Sequence, residues 1–324
     1  MKTIYAANVR PGDDIQDFFI VKGAAIKVGS TGKQYLDITV GDSTGDLNAK
    51  KWDVAPDDRE VRELKNGDVV KIRGTVVEFN GQKQLRIQRI RKAAAGDEVE
   101  MSDFIKAAPE KPEAMYADLI ALAETMRDED LKKLATGVME ARKEKLLYWP
   151  AATRNHHAEY GGLLWHMKRM ALAGDALCSV YTFLDRDLLL AGVLLHDMEK
   201  LNEIVSNEDG IASDYSKEGQ LLGHIVMGVR ELDKAGEALG IPREKVVLLE
   251  HMIVSHHYEP EYGSPKKPAF AEAEVLHYLD IMDARLFTFE EVEAALAPGE
   301  FSEKVFSLDN RRVYKGDLGR DETK

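Results

Sequence analysis

The order of apolar and polar positions changes character once along the chain. From Asp17 to about Lys92 the apolar residues alternate with polar ones. "YLDITV" (35–40) and "VVKIRGTVVEF" (69–79) keep a period of two, as half-buried strands do. Asn80-Gly81 is a two-residue hairpin signal leading into "QKQLRIQRIRK" (82–92). "GSTGK" (29–33) and "GDSTGD" (41–46) mark earlier turns. "APDDREVRELKNGD" (55–68) predicts a short helix or loop between a third strand, ending near Trp52, and a fourth. From Ala114 onward the period becomes helical. "MYADLIALAETM", "LKKLATGVMEARKE" and "GLLWHMKRMALAGDAL" each repeat their apolar residues every three or four positions. Further helices are predicted at 186–196, 217–239, 243–257 and 271–285, with a loop at 260–268.

These patterns predict a chain of two domains, one β and one α. Residues 1–92 hold five short strands with an insertion after the third, the plan of an OB-fold barrel. Gly74, inside the fourth strand, suits a barrel bend. Residues 93–113, rich in Ala, Glu and Pro, are expected as a linker, and 114–324 as an all-α helical bundle. The C-terminal "VFSLDNRRVYKGDLGR" is expected as an ordered strap with a frayed end.

Charge sharpens this division. The 324 residues carry a net charge of −13, unevenly placed. Up to residue 95 there are 17 Lys+Arg against 13 Asp+Glu, and beyond it 27 against 44. A mildly basic front precedes a strongly acidic back: the first suits a polyanion, the second suits cations. No segment approaches the roughly 20 apolar residues of a membrane span. The N-terminus lacks the apolar core of a signal peptide. Cys178 is the single cysteine, so no intramolecular disulfide forms, and a cytoplasmic setting with no membrane partner is expected.

The candidate chemistry lies in the acidic half. All nine histidines fall between His156 and His277. In "GVLLHDMEK" (192–200) an apolar run delivers His196 and Asp197 side by side towards the interior. Burying an unpaired charge costs several kcal/mol, so a partner is required there. His166, His196, Asp197 and Asp280 come from separate predicted helices and can converge in a bundle core around a metal ion. Imidazole with carboxylate suits Mn, Mg, Fe, Ni, Co or Zn.

The ordered set His166…His196-Asp197…Asp280 resembles the signature of the HD-domain metal-dependent phosphohydrolases, and "HDMEK" is similar to their His-Asp-x-Gly-Lys. Glu199 stands where that motif has Gly, and is expected to be solvated. "NHHAEYGGLLWH", "LLLAGVLLHD", "EGQLLGH", "VSHHYEPEYGSP" and "LHYLDIMDA" together resemble the YhaM-type 3′→5′ exoribonucleases, which join an OB-fold to an HD domain. The resemblance spans about residues 13–315. It implies cleavage of single-stranded RNA, or less directly DNA, to nucleoside 5′-monophosphates. By position it implies that His166, His196, Asp197 and Asp280 hold one divalent ion, Mn2+ or Mg2+. His224 and His256 would hold a second, bridged by Asp197. Asp283, one turn beyond Asp280, is the alternative to it as ligand. Lys200 is placed to steady a phosphate. His156, His157 and His257 are candidates for phosphate contact or for proton transfer to the leaving oxygen. His251 and His277 are expected as packing or supporting residues.

On the front domain, Lys71, Arg73 and Arg86 are candidates for phosphate contact. Tyr35, Trp52 and Phe79 are candidate stacking platforms for bases, if they are not barrel core. Two other activities fit the same residues: a phosphohydrolase of small or cyclic nucleotides with a regulatory OB domain, and a non-enzymatic single-strand-binding protein.

Overall fold

Phe19, Leu36, Ile38, Val70, Ile72, Val76 and Leu85 recur at every second position of their strands, and all are buried within one cluster. The alternation therefore curls a sheet around a single core. The computed structural model describes residues 2–319 apart from 30–31, 80, 95, 100–102, 153–156, 158, 207–209 and 211. The chain divides into two units, residues 1–107 with 209–213 and residues 108–208 with 214–324.

The first unit holds β1 (Asp14–Val28), β2 (Gln34–Asp42), β3 (Gly45–Lys51), the one-turn helix α1 (Arg59–Arg62), β4 (Val69–Phe79) and β5 (Gln82–Lys92). They close in the order β1-β2-β3-β5-β4. Closure depends on the length of β1, whose first half pairs with β4 and whose second half pairs with β2. A short parallel pairing of β3 with β5 completes the barrel. The register slips at Arg73/Gly74, and a Cβ on Gly74 would lie 2.5 Å from the Arg86 carbonyl oxygen. That glycine marks a bulge where β4 bends tightly over β5. Asn80 lies outside the described residues. The β4–β5 hairpin is nonetheless tight, with Phe79 opposite Gln82 and Gly81 at φ 75°.

The stretch expected as a linker is docked on the barrel for much of its length. Phe18 and Ile20 are buried on the barrel's outer side, and Phe104 covers them. The Ala93 N–H donates to the Val69 carbonyl, Asp97 pairs with Arg91 at 2.7 Å, and the Tyr5 hydroxyl donates to Asp103. An unbroken buried run from Asp17 to Val21 shows why: both faces of β1 there need cover.

The second unit contains α2 (Pro112–Glu124), α3 (Glu129–Ala141), α4 (Lys143–Leu146), α5 (Gly162–Val180), α6 (Arg186–Leu195), α7 (Lys200–Glu203), β6 (Ile204–Ser206), the second half of β7 (Ala212–Tyr215), α8 (Lys217–Leu239), α9 (Arg243–Ser255), α10 (Ala271–Ala294), β8 (Phe301–Val305) and β9 (Arg311–Tyr314). Asp128, Asp185 and Ser216 cap α3, α6 and α8 through side-chain oxygens. Helix α6 is buried from Asp187 to Leu195 and packs against α3, α5, α9 and α10, so it forms the centre of the bundle. Two small hairpins, β6–β7 and β8–β9, interrupt the expected all-helical pattern, and the second takes the place of the C-terminal strap. Helix α10 runs nine residues beyond the expected end at 285. Among the described residues no helix is long and apolar enough to cross a membrane.

Phe104→Ala should lower the stability of the barrel unit by about 3 kcal/mol, the usual cost of emptying a buried phenylalanine site. Urea unfolding of the full chain reads this; a change below about 1 kcal/mol would mean that residues 93–107 are not part of the folded unit.

Candidate metal centre and nucleic-acid face

Helix α6 is so apolar that its C-terminal end can lie only in the interior, and His196 caps it there with Asp197 following; both are 1% exposed. Around this pair stand His166 from α5, His224 from α8, His256 at the C-terminal cap of α9 and Asp280 from α10. Asp197 Oδ2 lies 3.3 Å from His196 Nε2 and 3.7 Å from His166 Nε2, and His166 Nε2 lies 3.4 Å from Asp280 Oδ1. The other oxygen, Asp197 Oδ1, faces His224 Nε2 at 3.4 Å and His256 Nε2 at 3.9 Å. One carboxylate thus looks into two adjoining clusters. His257 joins the second: one ring nitrogen each of His224, His256 and His257 lies within 4.8 Å of the others.

Each imidazole is held by its far nitrogen. His196 Nδ1 meets the Val193 carbonyl at 2.9 Å and His256 Nδ1 the Ile253 carbonyl at 2.7 Å. His166 Nδ1 meets Asp283 at 2.7 Å and His224 Nδ1 meets Glu203 at 3.0 Å. A carbonyl or carboxylate can only accept, so Nδ1 donates and, in the neutral ring, Nε2 keeps its lone pair, as metal-binding histidines are prepared. Among the described residues, His196 Nε2, Asp197 Oδ1, His224 Nε2 and His256 Nε2 are buried with no hydrogen-bond partner. Each such atom costs about 1–3 kcal/mol. Four of them aimed into one space fit a divalent cation, and the nitrogen and carboxylate donors suit several metals.

Electrostatics agrees with the geometry. Burial would raise the Asp197 carboxyl, but Lys200 and then His196 outweigh it and hold it well below the usual carboxylate range. Burial likewise opposes Asp280, which His166 draws far down. Burial lowers His256 and His257, leaving them neutral with lone pairs available. His166 is the exception: burial lowers it, yet bonds to Asp280 and Asp283 push it up to about 9. The carboxylates favour a positive charge at that point, which a proton or a metal can supply.

Local structure delivers His224 through a break in its helix. Gly223 sits at φ 71°, ψ 162° inside α8, a conformation open to glycine. The break frees the His224 N–H, which donates to Glu203 Oε1 at 3.0 Å while the ring meets the same carboxylate.

The remaining expected residues fall in different places. Lys200 Nζ lies 2.7 Å from Asp197 Oδ2 at the rim of the site. His157 is fully buried, with Nε2 2.7 Å from Asp283 and its ring on Phe287, away from the open position that a phosphate contact needs. His156 lies outside the described residues. Asp283 spends its oxygens on His157, His166 and Arg169, not in the cluster of Asp197. His277 Nδ1 donates to the His256 carbonyl, and His251 packs on Phe270 while accepting from the Ala269 N–H. Glu199 is not solvated: it is 3% exposed and bonded to Arg142 and Asn202 at 2.7 Å each. An arginine 57 positions earlier in the chain gives no sequence signal for that pair. Glu203 and the grouping of His257 with His224 and His256 were also not evident, because both depend on how α7, α8 and α9 meet.

On the barrel, Trp52 and Phe79 are 47% and 57% exposed, so they are not core. Tyr35 stacks on Trp52 at 4.6 Å, and Lys50 Nζ lies 5.4, 5.9 and 6.0 Å from the Tyr35, Trp52 and Phe79 rings. Lys50 was not singled out by the sequence. Lys71, Arg73 and Phe79 share the outward side of β4; Lys71 Nζ also lies 4.8 Å over the Phe18 ring. Arg73 stands opposite Arg89, and Arg86 opposite Thr75, with both arginines exposed.

Residues 19–93 match the OB-fold nucleic acid binding domain family and residues 163–285 match the HD domain family. Fold and site therefore define a protein that couples a nucleic-acid-binding OB-fold barrel to an HD-domain helical unit. Over 304 residues the chain is 38% identical to the 3'-5' exoribonuclease YhaM of Geobacillus sp. (strain WCH70), covering 94% of this chain and 92% of that protein. The chain belongs to the YhaM family. Among solved structures, a domain of replication protein A from Methanococcus maripaludis shares 22% identity over 28% of this chain and 92% of its own, with a TM-score of 0.24. The second OB-fold domain of replication protein A from the same organism gives 18% identity, 30% and 98% coverage and a TM-score of 0.23.

Cation uptake at His166 must displace the proton that its raised pKa of about 9 retains. Affinity for Mn2+ is therefore expected to be higher at pH 8 than at pH 6, with net proton release on binding. Calorimetry in buffers of different ionisation enthalpy reads both; equal affinity at the two values would contradict this electrostatic picture.

Proposed function

We propose that this chain is a metal-dependent 3′→5′ exoribonuclease that shortens single-stranded RNA to nucleoside 5′-monophosphates. The observation that carries the reading is the paired cluster around Asp197, whose two oxygens face two sets of buried imidazoles in an HD-domain unit. The relative's activity supports the reaction and its polarity.

His166, His196, Asp197 and Asp280 would hold one Mn2+ or Mg2+, and His224, His256, His257 and the far oxygen of Asp197 a second. Divalent cations held there would supply Lewis acidity at a phosphodiester and make water acidic enough to react at neutral pH. The balance is simple. The P–O3′ bond breaks, the water oxygen stays on phosphorus, and a proton passes to the new 3′-hydroxyl. Lys200 keeps its proton because the Asp197 charge outweighs the effect of burial. Its ammonium sits at the rim, where it can meet a phosphate oxygen. Asp280 and Lys200 are 16% and 12% exposed while His196 and His256 are sealed, so substrate approaches from their side. His257 serves the second cation position rather than proton transfer. The barrel holds the strand ahead of the cut: bases stack on Trp52, Tyr35 and Phe79, and Lys50, Lys71, Arg73 and Arg86 meet phosphates.

Asp197→Ala is expected to abolish hydrolysis of end-labelled RNA in Mn2+ while leaving strand binding within about threefold. A ladder should shorten from the 3′ end with the parent protein. Persistent cleavage by the variant, or shortening from the 5′ end, would overturn the reading. Replacing Trp52 and Phe79 together by Ala should raise KM for an oligonucleotide by about 30-fold or more, given ~1–3 kcal/mol per stacked base. Turnover of a small phosphodiester should stay unchanged. Steady-state kinetics on both substrates decides it.

A further inference from the structure

The four buried imidazoles of the centre fall into two kinds. His196 and His256 lean on backbone carbonyls, each three residues back in its own helix. His166 and His224 lean on carboxylates from elsewhere in the fold, Asp283 and Glu203. The two carboxylate-backed rings lie on opposite sides of Asp197: His166 Nε2 is nearest Oδ2, His224 Nε2 nearest Oδ1. Each cation position thus has one carboxylate-backed histidine; the others, His257 included with its Nδ1 2.6 Å from the Tyr262 carbonyl, are carbonyl-backed.

We infer that Asp283 and Glu203 are positioning residues with divided labour, Asp283 setting cation affinity at the position of His166 and Glu203 at the position of His224. The inference rests on the metal-centre reading above.

Both carboxylates are already engaged by donors of the protein. Asp283 Oδ2 receives His166 Nδ1 and His157 Nε2 at 2.7 Å each, and its Oδ1 receives Arg169 Nε at 2.6 Å. Arg169 is itself drawn to Glu290 at 3.0 Å. This frame fixes the plane of the His166 ring and strengthens the Nε2 lone pair by placing negative charge behind the donated proton. Glu203 grips His224 at two points, backbone N–H and ring, and the helix break at Gly223 makes the first available. The grip is therefore geometric as well as electrostatic. A backbone carbonyl gives His196 and His256 the tautomer but not the extra charge.

The amide replacements Asp283→Asn and Glu203→Gln keep size and remove charge. In Asp283→Asn the new amide must turn its N–H2 either to Arg169 or to the two imidazoles, so either the Arg169 contact or both imidazole contacts are lost. The test is Mn2+ binding to the full chain without substrate, by calorimetry and by electron paramagnetic resonance of free Mn2+. The parent should show two classes of site. Each variant should weaken one class by about 10–100-fold and leave the other unchanged, and the double variant should weaken both. Near-ultraviolet circular dichroism on the metal-free proteins checks the fold. Variants that melt at lower temperature but bind Mn2+ as the parent does would reduce both carboxylates to structural groups and overturn the inference. Two variants that weaken the same class would overturn the division of labour. A parent that binds no Mn2+ would instead remove the metal-centre reading, and this inference with it.

Discussion

Everything in the helical unit is arranged around one carboxylate taken fully out of water. Burying the Asp197 charge costs several kcal/mol even after relaxation, and the Lys200 ammonium beside it reaches a single oxygen. The other oxygen faces the imidazole nitrogens of His224 and His256, which have no hydrogen-bond partner among the described residues. Such a site is stable as a place for a cation and unstable as anything else. The apolar length of α6 fixes the depth of the carboxylate, and four further helices each contribute one or two side chains at that depth. Carbonyl and carboxylate acceptors behind the rings then commit every Nε2 to the centre.

Much of this was legible along the chain. Period-two alternation in 35–40 and 69–79 corresponds to β2 and β4, and Gly74 falls at the bulge that bends the barrel. Helical periodicity located α5, α6, α8 and α9 closely, because each has a clear apolar face or a capping residue such as Asp185 or Ser216. The order His166, His196-Asp197, Asp280 was readable because an apolar run ending in two polar residues is costly without a partner. What was not readable depends on pairs distant in sequence. Phe104 covers Phe18 and Ile20, which a local pattern assigns to a linker. Glu199 is buried because Arg142 arrives beside it. His157 goes inward because Asp283 and Phe287, on α10, await it. The hairpin β6–β7 and the continuation of α10 to Ala294 lack the periodicity that would have announced them.

The uneven charge gains a physical meaning from the two units. The basic residues of the barrel include an outward set, Lys50, Lys71, Arg73 and Arg86, beside exposed aromatic rings. The helical unit carries the acidic excess and contains the candidate metal centre. On the proposed function a long polyanion would be repelled by the second and attracted by the first, so strand capture would belong to the barrel and fall steeply with salt. Acidic surroundings suit metal retention and suit release of a short, charged product.

The central claim is that seven imidazole and carboxylate groups, brought together from five segments of the chain, meet around divalent metal. Anomalous diffraction from crystals grown with Mn2+ and without chelator tests it most directly. The account predicts two peaks on either side of the Asp197 carboxylate, one at about 2.0–2.3 Å from His166 and His196 Nε2, the other at the same distance from His224 and His256 Nε2. Absence of anomalous density at Asp197, or a peak elsewhere with these side chains turned to other partners, would contradict it.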